Sequence, residues 1–200
     1  MNKNIKQLLI GEDMNRTKRK IFEISMDLFA KKGYDATSVE EITAVVGVAK
    51  GTLYYHFSSK EEIFNFLVEE GMKLLINSVE IKTSKVTTTT EKLKEIILVQ
   101  IKIITKYENF VRIIASQIWG TEPRNNHCRK QVFGYIKKIE EIIKDGMEKG
   151  EIRQGNSRII ASEIFILFCN DLIYKLIAEE EIDVEKIRSE YENLILNNIL

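Results

Sequence analysis

One proline and two cysteines in a chain of 200 residues already exclude several kinds of protein. Cys128 and Cys169 stand far apart, so a disulfide framework is not expected, and reduced thiols fit a cytoplasmic protein. Long hydrophobic runs are missing as well. The most apolar segment, residues 159–177, is interrupted by Ser162, Glu163, Asn170, Asp171 and Lys175, whereas a membrane span needs about 20 mostly apolar residues. The opening residues, MNKNIKQLLIGED, hold no apolar stretch long enough for a signal peptide. There is no P-loop, no Rossmann glycine fingerprint and no set of nucleophile, base and orienting acid, so neither enzymatic activity nor a cofactor is expected. His127 sits beside Cys128 with Glu122 nearby, but no CxxC or HxxxH spacing supports a metal, and a place in a loop or at a helix start is the simpler reading.

An excess of charge of one sign is the last absence, since 30 Lys and Arg balance 30 Asp and Glu. Even spreading would argue against a nucleic-acid partner. The spread is uneven. Residues 1–60 carry ten basic side chains, at positions 3, 6, 16, 18, 19, 20, 31, 32, 50 and 60, against seven acidic ones. Arg16, Lys18, Arg19 and Lys20 cluster at the entry to a helical segment, giving a mildly basic head on an acidic body. A hydrophobic content of 44% suits one or two compact domains with a real core.

Helical periodicity runs through the whole chain. Residues 16–32 place Ile21, Ile24, Ser25, Leu28 and Phe29 on one face, broadened by Phe22 and Met26, and end in two lysines and Gly33. Ser38 followed by Glu41 reads as a capping box, in which a hydroxyl and a carboxylate satisfy the free amides of a helix start. The helix it opens is short, with Val39, Ile42, Val45 and Val46 as its apolar face, and Gly47 lets the backbone leave it. A second short helix runs from about Lys50. Leu53 and Phe57 hold it down, while Lys50, Thr52, Tyr54, Tyr55 and His56 are long, hydrogen-bonding or aromatic. Ser58 and Glu61 repeat the capping-box pattern for the helix that follows. Three helices with a glycine turn before the last would present that helix to a DNA major groove.

These residues carry a resemblance. Arg16-Thr17-Lys18, Leu28-Phe29-Ala30, Gly33-Tyr34, Thr37-Ser38-Val39, Glu41-Ile42, Gly47-Val48, Lys50-Gly51-Thr52-Leu53-Tyr54, His56-Phe57 and Lys60-Glu61 resemble, in order and without gaps, the DNA-binding domain of the TetR (tetracycline repressor) family of bacterial transcription regulators. The match covers about a quarter of the chain. The remainder is similar only in length, helical pattern and the Gly150-Glu151-Ile152-Arg153 turn. The resemblance implies that Lys50, Gly51 and Thr52 face base edges. Tyr54, Tyr55, His56 and Lys60 would meet the phosphate backbone, joined by Thr37 or Ser38. It further implies a palindromic double-stranded operator, a homodimer, and release of DNA by a small effector. One departure stands out: Ala49, at the start of the recognition helix, replaces the Ser or Asp common in the family and cannot cap it.

The predicted architecture is all-α. A helix-turn-helix domain spans residues 1–60, of which 1–13 form an extension, and a helical domain spans residues 61–200. In the latter, helices are expected over residues 59–81, 91–106, 109–119, 132–150, 159–177 and 184–199, with a mobile loop over 82–90. The β-branched run of residues 96–105 is assigned to helix by its length and neighbours. Residues 159–177 are too apolar for a one-sided stripe, so the last two helices, about 158–178 and 183–199, are expected to dock on a second copy as a four-helix bundle. Tyr107, Phe110, Trp119, Phe133, Tyr135, Phe165, Phe168 and Cys169 are candidates to line a cavity for an apolar or amphipathic effector, against the plainer reading that they fill the core. The rival functional reading is a small-molecule-binding or protein-interaction module whose helix-turn-helix is structural.

Overall fold

The computed structural model describes residues 15–178 and 183–199; the N-terminal extension and the side chain of Phe168 lie outside what it describes. Nine helices and no strand occur among the described residues. They are α1 (Arg16–Lys32), α2 (Val39–Val46), α3 (Lys50–His56), α4 (Lys60–Thr83), α5 (Thr89–Lys106), α6 (Glu108–Gln117), α7 (Pro123–Glu148), α8 (Ser157–Ala178) and α9 (Val184–Ile199). Two compact units result: one contains the chain up to Leu74 with Arg112–Gln131, the other Leu75–Val111 with Val132–Leu200.

In the first unit, α1 begins where the Asn15 side chain accepts from the Lys18 amide at 2.9 Å, and it ends at Gly33, whose φ of 84° lies where side chains are rarely tolerated. Ile21, Phe22, Ser25 and Phe29 form its buried face. Ser38 caps α2 by accepting from the Glu41 amide at 3.0 Å. Ile42, Thr43 and Val46 turn inward, but Val45 is 52% exposed, so the apolar face is narrower than its sequence suggests. Gly47 adopts the left-handed conformation, and its amide and that of Val48 fold back on the Thr43 carbonyl. Leu53 and Phe57 then anchor α3 and its end at 0% and 1% exposure. The turns of α4 nearest α3 complete this core. Phe66 packs edge-on against Phe22 and Phe57, and Phe64 against Phe29 and Tyr34.

Two sequence expectations shift here. The cap of α4 is Ser59, which accepts from the Glu62 amide at 3.0 Å, while the Glu62 carboxylate reaches back to the Ser58 amide. The capping pattern therefore lies one residue later than Ser58 and Glu61. The long helix α7 starts at Pro123, well before residue 132, with proline at the first helical position where its missing N–H costs nothing. Beside the buried Cys128, its polar first turns are held by hydrogen bonds. Asn125 donates to the carbonyl and the side chain of Gln117, and Arg129 donates to the carbonyls of Ile118 and Gly120. Gly120 leaves room for this arrangement, because a Cβ there would displace the Asn125 side chain.

The second unit is built around α5. Thr88 and Glu91 form a complete capping box at its start, which shortens the expected loop over 82–90. Leu93, Ile96, Ile97, Val99, Ile101 and Ile104 are buried along it, and α8 and α9 both pack against it. Helix, not strand, is thus the outcome for the β-branched run, since a helix apolar around most of its circumference suits a position covered on several sides. The turn after α7 closes at Gly150, with φ of 70°, and the Glu151 carboxylate accepts from the Thr89 amide at 2.5 Å. In α8, Ala161, Ile164 and Phe165 face inward, whereas Ile159 and Ile166 are 51% and 60% exposed. Ile166, with Leu194 of α9, 53% exposed, borders an apolar groove of about 290 Å³ that Ile160, Glu163, Ile164, Leu167 and Ile195 also line.

Candidate nucleic-acid interface

The surface of α3 follows from its anchoring. Because Leu53 and Phe57 point inward, Lys50, Gly51, Tyr54 and Tyr55 are left exposed, with Tyr55 at 83%, and Thr52 and His56 are half-buried. The Tyr55 and His56 rings meet edge-on with centroids 5.0 Å apart. No side chain caps the helix at Ala49, as its sequence implies, so the α3 start depends on backbone bonds from Thr52 and Leu53 to the Ala49 carbonyl. Lys50 Nζ lies 2.6 Å from Glu40 Oε1 of α2 and 5.9 Å from the centre of the Tyr54 ring. That contact holds the Glu40 carboxyl below the usual carboxylate range and lifts the Lys50 ammonium above its ordinary value.

Three of the residues expected to touch DNA are engaged within the protein. Thr37 is buried to 1%, and its hydroxyl donates to the Gly33 carbonyl at 2.8 Å, so its side chain is a packing element and not a surface contact. Ser38 is exposed but accepts the α2 cap bond. Lys60 donates to the carbonyls of Tyr34 and Thr37 at 2.9 and 2.8 Å and sits 4.2 Å from the Tyr34 ring, and desolvation there lowers its pKa. It ties the α1–α2 turn to α4. The basic cluster at the start of α1 behaves similarly. Lys18 lies over the Phe57 and Phe66 rings at 5.0 and 4.7 Å, and Lys20 donates to the Val46 carbonyl at the end of α2.

Sequence reasoning missed Glu40 and Arg124. Glu40 looks like an ordinary acid in the first turn of a helix, and only the turn at Gly47 brings it to a lysine ten residues on. Arg124, on the first turn of α7, donates to both oxygens of Asp35 and lies 4.3 Å from the Tyr34 ring. No periodicity signals a contact across 89 positions.

The candidates for an effector cavity are scattered. Tyr107, Phe110, Tyr135 and Phe165 are buried in the second unit, and the Tyr135 and Phe165 rings meet at 6.2 Å. Tyr135 accepts from Gln100 Nε2 at 3.0 Å, a buried polar pair among aliphatic side chains. Cys169 is half-buried, and burial pushes its thiol up to about 11. Trp119 and Phe133, however, are 88% and 54% exposed: Trp119, in the first unit, stands in the turn past the end of α6, and Phe133 lies on the outer face of α7. Cys128 and Cys169 are free thiols. Among the described residues, no helix is long and apolar enough to cross a membrane.

Comparison with known proteins agrees with the geometry. Residues 21–67 match the family described as bacterial regulatory proteins, tetR family. The regulator QacR of Staphylococcus aureus is 30% identical over 139 residues, which is 67% of this chain and 72% of that protein. The solved structure of a Clostridium perfringens protein, provisionally assigned as a fatty acid metabolism regulator, superposes with a TM-score of 0.85 at 34% identity, covering 90% of this chain and 98% of the other. The regulator FadR of Bacillus subtilis in complex with stearoyl-CoA shares the fold at 22% identity and a TM-score of 0.76, covering 88% of this chain and 96% of its own. The chain, with its three-helix reading head and all-helical body, belongs to the TetR family of bacterial transcription regulators.

Proposed function

We propose that the chain is a cytoplasmic repressor that binds a palindromic operator as a homodimer and releases it when a fatty acyl thioester occupies its second unit. The observation that carries the reading is α3, a short helix pinned by Leu53 and Phe57 that leaves Lys50, Thr52, Tyr54, Tyr55 and His56 crowded on one outer surface. A purely structural helix-turn-helix gives no reason for that crowding. Lys50 donates to guanine acceptors, Thr52 meets a base edge or a thymine methyl, and Gly51 allows close approach of the backbone. Tyr54, Tyr55 and His56 hydrogen-bond to phosphates and fix register. One such head binds weakly. Two, related by a dyad, select a two-fold site.

The second copy docks on the apolar groove of α8 and α9. An exposed Ile166 and Leu194 beside that groove are what an isologous four-helix contact buries. The effector class is supported by the regulators that this chain resembles, one assigned to fatty acid metabolism and one bound to stearoyl-CoA, together with the aliphatic and aromatic interior of the second unit. Release requires the thioester to favour the non-binding geometry by differential affinity, since equal affinity for both states shifts nothing.

The test starts from a duplex selected by the protein out of a random-sequence pool. Sequence-dependent binding with two-fold symmetric consensus is expected, and stearoyl-CoA should weaken it at least about tenfold while free coenzyme A does not. A selected pool without consensus would remove the operator, and an unchanged complex under stearoyl-CoA would remove the effector. Ile166→Glu should shift the sedimenting species from dimer to monomer without loss of helix, because Ile166 is already exposed in the protomer.

A further inference from the structure

Glu40 places a carboxylate against the exposed side of the recognition helix, and nothing in the DNA-reading role of α3 calls for an acid there. It sits in the first turn of α2 beside Glu41. Glu41 pairs with Lys32 of α1, within the two-helix packing. Glu40 instead reaches across the Gly47 turn to Lys50, with Nζ and Oε1 2.6 Å apart and both side chains more than half exposed, at 54% and 66%. A pair so open to water adds little to folding. Its placement on the face that meets DNA is therefore what needs an account, because a duplex carries a dense line of negative charge that a surface carboxylate repels.

We infer that Glu40 is a specificity-determining residue, which holds the Lys50 ammonium so that it serves base edges and not passing phosphates. The inference rests on the reading of α3 as the recognition helix. An ammonium has three N–H donors. Glu40 takes one, and the Tyr54 ring, 5.9 Å away and one turn on, borders another side. Two donors are left over for DNA. Guanine presents two acceptors, O6 and N7, in the major groove, and a lysine fixed in this way can reach them only when the helix is seated in the groove. On DNA of the wrong sequence the same lysine, already neutralised by its partner, contributes little to the phosphate attraction that drives non-specific binding. Glu40 thereby lowers affinity for the many wrong sites more than for the right one, which is discrimination by a repulsive element.

The experiment measures full-length wild type, Glu40→Gln, Lys50→Gln and the double variant on the selected operator duplex and on a scrambled duplex of equal length, over a salt series. Glu40→Gln is expected to tighten binding to the scrambled duplex by about twofold to fivefold, the size set by an exposed charge pair. Operator binding should change by less than that, so the ratio of the two affinities falls. The slope of log affinity against log salt on the scrambled duplex should steepen by about 0.9, one further phosphate neutralised. In the Lys50→Gln background the same substitution should do nothing to either quantity. An unchanged ratio would overturn the inference. So would an equal effect of Glu40→Gln with and without Lys50, which would make Glu40 a plain repeller of phosphate. A wild-type protein that preferred no duplex would defeat the recognition-helix reading first, and this inference with it.

Discussion

The Arg124 guanidinium grips Asp35 with two parallel hydrogen bonds of 3.0 and 2.9 Å while lying 4.3 Å from the Tyr34 ring, so the first turn of α7 fastens the turn between α1 and α2. Lys60 approaches the same ring to 4.2 Å. Tyr34 is thus in contact with two cations, and desolvation raises its phenol pKa. Arg124→Gln keeps a polar head but loses the fork and the stacking. It should destabilise the protein by about 1–2 kcal/mol, since Asp35 is 80% exposed on its side chain and solvent screens much of the pair. Thermal unfolding followed by circular dichroism reads the change. Asp35→Asn should cost less, because the ring contact survives it.

The Gln100 and Tyr135 pair makes a sharper case. Both are buried, and the Tyr135 hydroxyl accepts from the Gln100 amide at 3.0 Å. Burial drives the Tyr135 pKa strongly upward, so the phenol stays neutral. Tyr135→Phe leaves a buried amide without its partner and should cost about 1–3 kcal/mol. Replacing Gln100 by Leu in the same chain should recover part of that loss, as both members of the polar pair are then gone. Equal stability of the single and wild-type proteins in urea titration would contradict the pairing.

Acid should unfold the protein through its caps. Glu62, Glu91 and Glu151 each have a carboxyl pKa below the ordinary 4.5, lowered chiefly by hydrogen bonds from Ser58, Thr88 and Thr89 respectively. A depressed folded-state pKa means that the unfolded chain binds protons more readily there, so these groups stabilise above 4.5 and lose that contribution as pH falls through their folded values. The unfolding midpoint is expected to drop from neutral pH through this window, and Glu91→Gln combined with Glu151→Gln should flatten the drop.

Ala49 offers a gain. With no side chain to accept from the first amides of α3, the helix lacks a contribution that Ser supplies at this position. Ala49→Ser should raise stability by about 0.5–1 kcal/mol. A protein no more stable than wild type would show that the α3 amides already find partners elsewhere.

Much of the reading head was legible from its residues. Gly33 and Gly47 marked turns that do adopt positive φ, Ser38 and Glu41 marked a helix start, and Leu53 and Phe57 marked an anchored face. What escaped has physical causes. Ser58 and Ser59 both stand three residues before a glutamate, so spacing alone cannot choose between their caps. The first turns of α7 hold Asn125 and Arg129, fixed by hydrogen bonds to a loop, and apolar periodicity is blind to such anchoring. Thr37 near a helix start reads as a surface hydroxyl, but its partner is a carbonyl one turn back. Lys60 reads as a free cation for the same reason. Aromatic residues in the body were assigned by type, and type does not say which way Trp119 and Phe133 point.

That orientation has a practical side for Trp119. It is the sole tryptophan of the chain and stands 88% exposed in the loop between α6 and α7. Its indole is already surrounded by water in the folded protomer, so its emission barely changes when the chain unfolds, and fluorescence melting curves will understate the transition that circular dichroism sees. The same exposure makes it an optical probe of assembly: a blue shift, or protection from iodide quenching, on adding a partner molecule reports that water has been excluded from that loop.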